Sequence, residues 1–219
     1  NEGLGEDAGM PHLAGLVCLS AFDLALYDAF GKLHNVGAFD CLDQSWLGEN
    51  DLSHFLEPAE SFVGKYPADY FVEPEKILPV WHLVGGLDPI DECELTGSEP
   101  DDGFPVLLRD WIRRDGLDCL KIKLRGNDLE WDYKRLLAIG KISLEEGVTN
   151  LTTDFNCMVT DPDYVNEILD RLKEESCEIY DRIIYVEQPF PYDLEKNQID
   201  VHSVSERKPL FMDESAHDW

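Results

Sequence analysis

Apolar residues at 13, 16, 17, 21, 24 and 25 (Leu13, Leu16, Val17, Ala21, Leu24 and Ala25) recur at helical spacing, and Gly31 is placed to stop that helix. Residues 35–76 mix glycine, proline and acids with weak periodicity and predict no firm element. From residue 77 the rhythm changes, and strand-like runs alternate with amphipathic helices. Residues 77–84 (ILPVWHLV) read as a strand, an acidic loop covers 88–103, and a helix follows over about 106–115. Residues 119–124 (CLKIKL) form the next strand. Asn127 opens a helix with Glu130 three residues on, a capping-box-like pair, and Leu129, Tyr133, Leu136 and Leu137 supply its buried stripe. Residues 150–155 (NLTTDF) form a strand. Asp161 and Pro162 are the N-cap and first-turn proline of a helix carrying Tyr164, Val165, Ile168, Leu169 and Leu172. Residues 182–187 (RIIYVE) and 209–213 (PLFMD) complete the strands.

Strands alternating with helices predict parallel βαβ units and an α/β fold. Lys121 to Asp154 is 33 residues, Asp154 to Glu187 is 33, and Glu187 to Asp213 is 26. No glycine-rich phosphate-binding fingerprint follows any strand, so the nucleotide-binding versions of this class lack their signal.

Of 219 residues, 43% are apolar and 29% charged, enough to bury a core and exclude wholesale disorder. Eighteen Lys and Arg stand against 46 Asp and Glu, a formal net charge of −28. That charge repels phosphate backbones and anionic membrane surfaces, so neither a nucleic acid nor a membrane is expected as a partner. The longest apolar stretch, residues 13–30, is interrupted by Asp23 and Asp28, which argues against a membrane span. Six scattered cysteines form no CxxC or zinc-like cluster and read as reduced thiols of a cytoplasmic protein. The chain begins with Asn and not Met, which suggests processing, a tag or an incomplete chain.

Three successive strands end in an acid: Asp154, Glu187 and Asp213. In parallel α/β folds ligands collect at the carboxyl ends of the strands. Three carboxylates there need a cation, and hard oxygen donors suit Mg²⁺. The plainer reading, an acid capping the next helix, fits Asp154 poorly because Asp161 already caps. It fits Glu187 poorly because Gln188-Pro189 follows, and it stays open for Asp213. Lys121 and Lys123, at i and i+2 of one strand, share a face. Adjacent ammonium groups disfavour each other's charge, which moves a lysine toward use as a base. The alternative is an edge strand guarded by lysines. Together, a lysine base, three acids and a divalent cation suit removal of a proton α to a carboxylate, with the metal stabilising the enediolate.

These residues resemble the enolase superfamily, specifically its mandelate racemase and muconate lactonizing enzyme-like members. Lys121-Ile122-Lys123, within GLDCLKIKLRG, is similar to that family's KxK strand. Asp154-Phe155-Asn156 resembles its DxN segment, Glu187-Gln188-Pro189 its EQP, and Asp213-Glu214-Ser215 its DES, all in the family's order. SAFDLALYDAFGK, residues 20–32, resembles the helix near the end of its capping domain. The resemblance covers most of the chain. It implies Lys123 as the acid/base and Lys121 as the neighbour that lies by the substrate carboxylate. It also implies Asp154, Glu187 and Asp213 as Mg²⁺ ligands, Asn156 as a residue supporting them, and a small carboxylate substrate. Aspartate as third ligand leans toward the cycloisomerase and dipeptide-epimerase branch. The implied fold is a partial (β/α)8 barrel, about its first five strands, over residues 77–219. The helical remnant of an α+β capping domain precedes it over 1–76.

A complete barrel takes about 250 residues, so the family's second catalytic group is expected beyond Trp219. The chain then reads as the middle of a longer enzyme, inactive alone, and an open arc with two free edges is expected to be unstable or to associate, a homo-oligomer being one such association. His202 and His217 do not stand where they would replace the missing group. Racemisation or epimerisation, cycloisomerisation and dehydration all remain open. The competing reading is a non-catalytic acidic cation-binding or scaffold protein that retains the strand motifs. The acidic insert, residues 88–102, is expected as a solvated loop.

Overall fold

The computed structural model describes residue 10 and residues 12–216, with side chains from Ala14 onward in the first helix. His217 lies outside the described residues, as does the Leu13 side chain. The chain divides into two compact units, Asn1–Lys76 and Ile77–Trp219.

The first unit opens with helix α1 (His12–His34). It runs through Gly31, contrary to the sequence expectation, because the left-handed residue that ends it is Asn35 (φ +55°). The Val36 amide then donates to the Gly31 carbonyl at 3.0 Å, the six-to-one bond of a Schellman end. Gly31 matters for close approach instead: a Cβ there would lie 2.9 Å from the Val36 carbonyl oxygen. The apolar side chains of α1 point in every direction and stay exposed, with Phe22, Leu24 and Leu26 at 72%, 67% and 71%. By length and composition alone, its Ala14–His34 stretch is long and apolar enough to cross a membrane. Asp23 and Asp28 therefore do not exclude a span as expected. Two carboxylates leave so long a segment apolar on average, and Asp28 is paired with Lys32 one turn on, at 2.6 Å.

Short turns fill the rest of this unit, held by aspartates that accept from nearby amides. Asp43 caps the four-residue helix α2 (Gln44–Leu47) by accepting from Ser45 N at 2.8 Å. Asp51 accepts from Ser53 N at 3.0 Å and from Gly64 N at 2.6 Å, closing a loop. Cys41 and Tyr66 are the buried apolar side chains among the described residues here.

The second unit carries strands β1 (Trp81–Val84), β2 (Cys119–Lys123), β3 (Asn150–Asp154), β4 (Ile183–Glu187) and β5 (Leu210–Phe211). All pair in parallel, in sequence order. Between them run α3 (Leu108–Asp115), α4 (Leu129–Glu146), α5 (Pro162–Glu175), α6 (Cys177–Arg182) and α7 (His202–Ser205). The sheet's two faces differ. Leu120, Ile122, Leu151 and Val186 are buried with Leu136, Ile139, Ile168, Leu169 and Leu172 of the helices, and this is the core. The other face carries Lys121, Lys123, Asp154 and Glu187, with Trp81, Leu83 and Phe211 exposed. Consecutive parallel strands with helices on one face make this α/β unit an arc of a (β/α) barrel.

Several boundaries differ from the sequence expectation. The α4 cap is Asp128, whose carboxylate accepts from Trp131 N at 3.1 Å, and not Asn127. Glu130 instead reaches across to Arg171 at 2.5 Å. The edge strands β1 and β5 are shorter than their apolar runs, because each has a partner on one side only. Asp161 and Pro162 begin α5 as expected, with Asp161 accepting from Asp163 N at 3.0 Å.

Gly140 tests the helix packing. A Cβ there would fall 2.5 Å from Ile179 Cγ2 and 2.7 Å from its Cδ1, and Ile179 is itself buried. Gly140→Ala is expected to lose about 1–3 kcal/mol by overpacking, although alanine is the better helix former. A urea melt of the variant that matched the wild type would disprove the close α4–α6 contact.

Candidate active site at the strand ends

Register brings the site together. Lys123 pairs with Asp154 across β2 and β3, and Asp154 with Glu187 across β3 and β4. Lys121 pairs with Thr152, two residues earlier. Paired positions in a parallel sheet share a face, so both lysines and both acids emerge on the side the helices leave open.

Lys123 Nζ donates to Asp154 and, at 3.0 Å, to Asn156 Oδ1. Lys121 Nζ donates to Glu187 and lies 3.2 Å from Asp154 Oδ2. Asn156 is held in place, its amide nitrogen Nδ2 donating to the Leu124 carbonyl at 2.7 Å and its backbone N to Asp154 Oδ1 at 2.8 Å. Asp213 is exposed just beyond β5, close enough for its carboxyl to act on Glu187.

Burial raises the Glu187 pKa, and the Asp154 and Asp213 carboxyls add to the rise against the opposing pull of Lys121. Burial acts on Asp154 in the same direction, yet its bonds to Lys123, Asn156 N and Lys121 hold it below the usual carboxylate range. Burial lowers Lys121, but the Glu187 and Asp154 carboxylates outweigh it and leave its pKa above that of a free lysine. The expected mutual weakening of the two lysines is therefore not what governs Lys121: each ammonium faces a carboxylate before it faces the other.

All six predicted site residues, Lys121, Lys123, Asp154, Asn156, Glu187 and Asp213, thus stand at adjoining strand ends. Among the described residues, no three His, Cys, Asp or Glu side chains are arranged to hold a metal ion. The lysines take up the oxygens of Asp154 and Glu187 instead. His202 is away from this group, bonded to Asp200 at 2.6 Å on an exposed turn.

The sequence reading gave no role to two residues near the site. Gln188 is buried beside Glu187. Cys157 follows Asn156 with both in the left-handed region (φ +59° and +54°), and burial together with Glu214 pushes its thiol up to about 12. Gln188 entered the sequence reading only as the middle of the Glu-Gln-Pro motif, and a cysteine after Asn has no periodic signature that would have marked it.

Asp88 and Asp102 of the acidic insert line a cleft of about 420 Å³ with His82, Leu83, Phe104 and Trp111 beside β1.

No protein-family model matches the chain, and no curated protein does. Among solved structures it is similar to a mandelate racemase/muconate lactonizing protein from Herpetosiphon aurantiacus, at 22% identity and TM-score 0.45, over 64% of this chain and 34% of that one. It is also similar to an enolase from Bradyrhizobium complexed with magnesium and mandelic acid, at 22% identity and TM-score 0.36, over 48% of this chain and 26% of that one. The chain spans about a third of the first structure's length and about a quarter of the second's.

Proposed function

We propose that this chain carries one side of the active site of a Mg²⁺-dependent enolase-superfamily enzyme, of the mandelate racemase and muconate lactonizing kind. It removes the proton α to the carboxylate of a small acid, on the way to racemisation or epimerisation, cycloisomerisation or dehydration. The observation that carries the reading is the register that sets Lys123, Asp154 and Glu187 level at the carboxyl ends of three neighbouring strands, with Lys121 donating across to Glu187.

The donor set suits a hard cation. Asp154, Glu187 and Asp213 offer carboxylate oxygens, and a cation would offset both the burial and the neighbouring carboxyls that raise the Glu187 pKa. Bound there, Mg²⁺ would offset the negative charge that develops on the substrate carboxylate as its α-proton leaves. The protein's own groups do the rest. Lys123 moves the proton at Nζ, with Asn156 and Asp154 fixing where that nitrogen stands. Lys121 presents a second ammonium to the substrate carboxylate. The helix-packed core behind β2, β3 and β4 keeps these groups in register.

The test is Mg²⁺-dependent stability. A cation held at 100 times its Kd adds about 2.7 kcal/mol to the folded state. Wild-type protein is expected to melt higher in Mg²⁺, and Asp154→Asn or Glu187→Gln to lose that rise. A wild-type melting curve indifferent to Mg²⁺ would remove the cation from this reading.

A further inference from the structure

Gln188 is only 2% exposed and adopts φ +28°, a backbone conformation that costs a non-glycine residue about 1–3 kcal/mol. Both ends of its side-chain amide are bonded. Oε1 accepts from Asp213 N at 3.1 Å, Ser215 N at 3.3 Å and Ser215 Oγ at 2.7 Å, while Nε2 donates to the Phe190 carbonyl at 2.9 Å. Its backbone joins the neighbouring strand ends as well: N donates to the Phe211 carbonyl at 2.9 Å, and its carbonyl accepts from Cys157 N at 3.1 Å.

β5 is two residues long, and its ladder ends at Phe211. Asp213 therefore lies past the last strand pairing. What fixes it is the Gln188 amide, one residue after Glu187. We propose that Gln188 is a positioning residue: it clamps the loop after β5 so that the Asp213 carboxyl meets the Glu187 carboxyl as a joint site for a divalent cation. The proposal rests on the cation reading above. A turn-forming role alone would need only the backbone bonds. The three donors gathered on Oε1 all belong to the loop that carries Asp213.

The experiment titrates Mn²⁺ into the full chain by electron paramagnetic resonance and follows amide exchange at Asp213 and Ser215. Gln188→Met keeps the volume and removes the acceptor. It is expected to weaken the Mn²⁺ Kd about tenfold or more, as loss of a group that orients a ligand does, and to speed exchange at both amides. Ser215→Ala removes one of the three donors and is expected to weaken Mn²⁺ about threefold; it decides the matter should Gln188→Met not fold. Asn166→Ala serves as the control. It breaks a part-buried bond from Asn166 on α5 to Ser203 Oγ on α7 (3.0 Å), so it lowers stability without touching the loop. An unchanged Kd in folded Gln188→Met, or an equal weakening in Asn166→Ala, overturns the proposal. A wild type that takes no Mn²⁺ ends the cation reading and this proposal with it. A wild type that binds, with Asp213 and Ser215 amides as protected in Gln188→Met as before, overturns the clamp alone.

Discussion

Lys123→Ala is expected to slow solvent-deuterium exchange at the α-carbon of a carboxylic acid substrate by about 10²–10⁴-fold, the range for removal of a positioned acid or base. Its cost in stability is expected to be small. Lys123 reaches the strand end, its side chain 24% exposed, and Asp154 keeps Lys121 at 3.2 Å when Lys123 is gone. No buried carboxylate is left without an ammonium. Lys123→Arg sharpens the test: a guanidinium keeps the charge but stays protonated, so it should exchange no better than alanine. Lys121→Ala behaves differently. It strips Glu187 of its partner ammonium, and a buried acid without its partner is strongly destabilising. Stability should therefore fall with Lys121 and exchange with Lys123. The measurement is proton NMR of a panel of small carboxylic acids in D₂O with Mg²⁺. Exchange at the wild-type rate in both Lys123 variants would strip Lys123 of the base role.

The parts of the site that alternate with period two were legible in the sequence. Lys121 and Lys123 had to share a face, and an acid closing each of three strands had to lie near its neighbours once those strands ran parallel. Which oxygen each lysine takes was not legible, because that follows from the stagger between strands: Asp154 stands level with Lys123, while Lys121 leans across to Glu187. The choice between Asn127 and Asp128 as a cap was equally closed, since either side chain can accept and the entering loop decides. The buried faces of α4 and α5 followed from their stripes, as Leu136, Ile168 and Leu172 show. The similar spacing in α1 led nowhere comparable, because no described part of its own unit buries Leu24 or Val17. Gln188 was read as part of the Glu-Gln-Pro motif, but its contacts were hidden for another reason. Its burial is imposed by the loops after β3 and β5, which lie far from it in sequence.

Asp132→Ala is expected to cost about 4 kcal/mol, a large share of the 5–15 kcal/mol that holds a typical domain together. Asp132 is fully buried on α4 and accepts three hydrogen bonds: from Arg125 N at 2.7 Å, Gly126 N at 2.8 Å and the Tyr164 hydroxyl at 2.6 Å. Alanine leaves two amides and a phenol without acceptors, each worth about 1–3 kcal/mol when buried. The turn cannot easily move away. Gly126 sits at φ +70°, and a Cβ there would be 2.8 Å from Met158 Cβ and 2.9 Å from the Phe155 carbonyl oxygen. The chain thus leaves β2 wedged against the segment that follows β3. Asp132→Asn keeps one accepting oxygen but turns an NH₂ toward a donor, so it should lose about half as much. Tyr164→Phe removes one bond and should lose about 1 kcal/mol. Because Asp132 and Tyr164 share a bond, a double-mutant cycle should show coupling of about 1 kcal/mol. The effect reaches the site, since the clamped turn begins two residues after Lys123. Asp132→Asn is therefore expected to lower α-proton exchange even where the protein stays folded. A urea midpoint for Asp132→Ala equivalent to within about 1 kcal/mol of the wild type would show that the turn holds without its carboxylate, and that β2 positions Lys123 by its ladder alone.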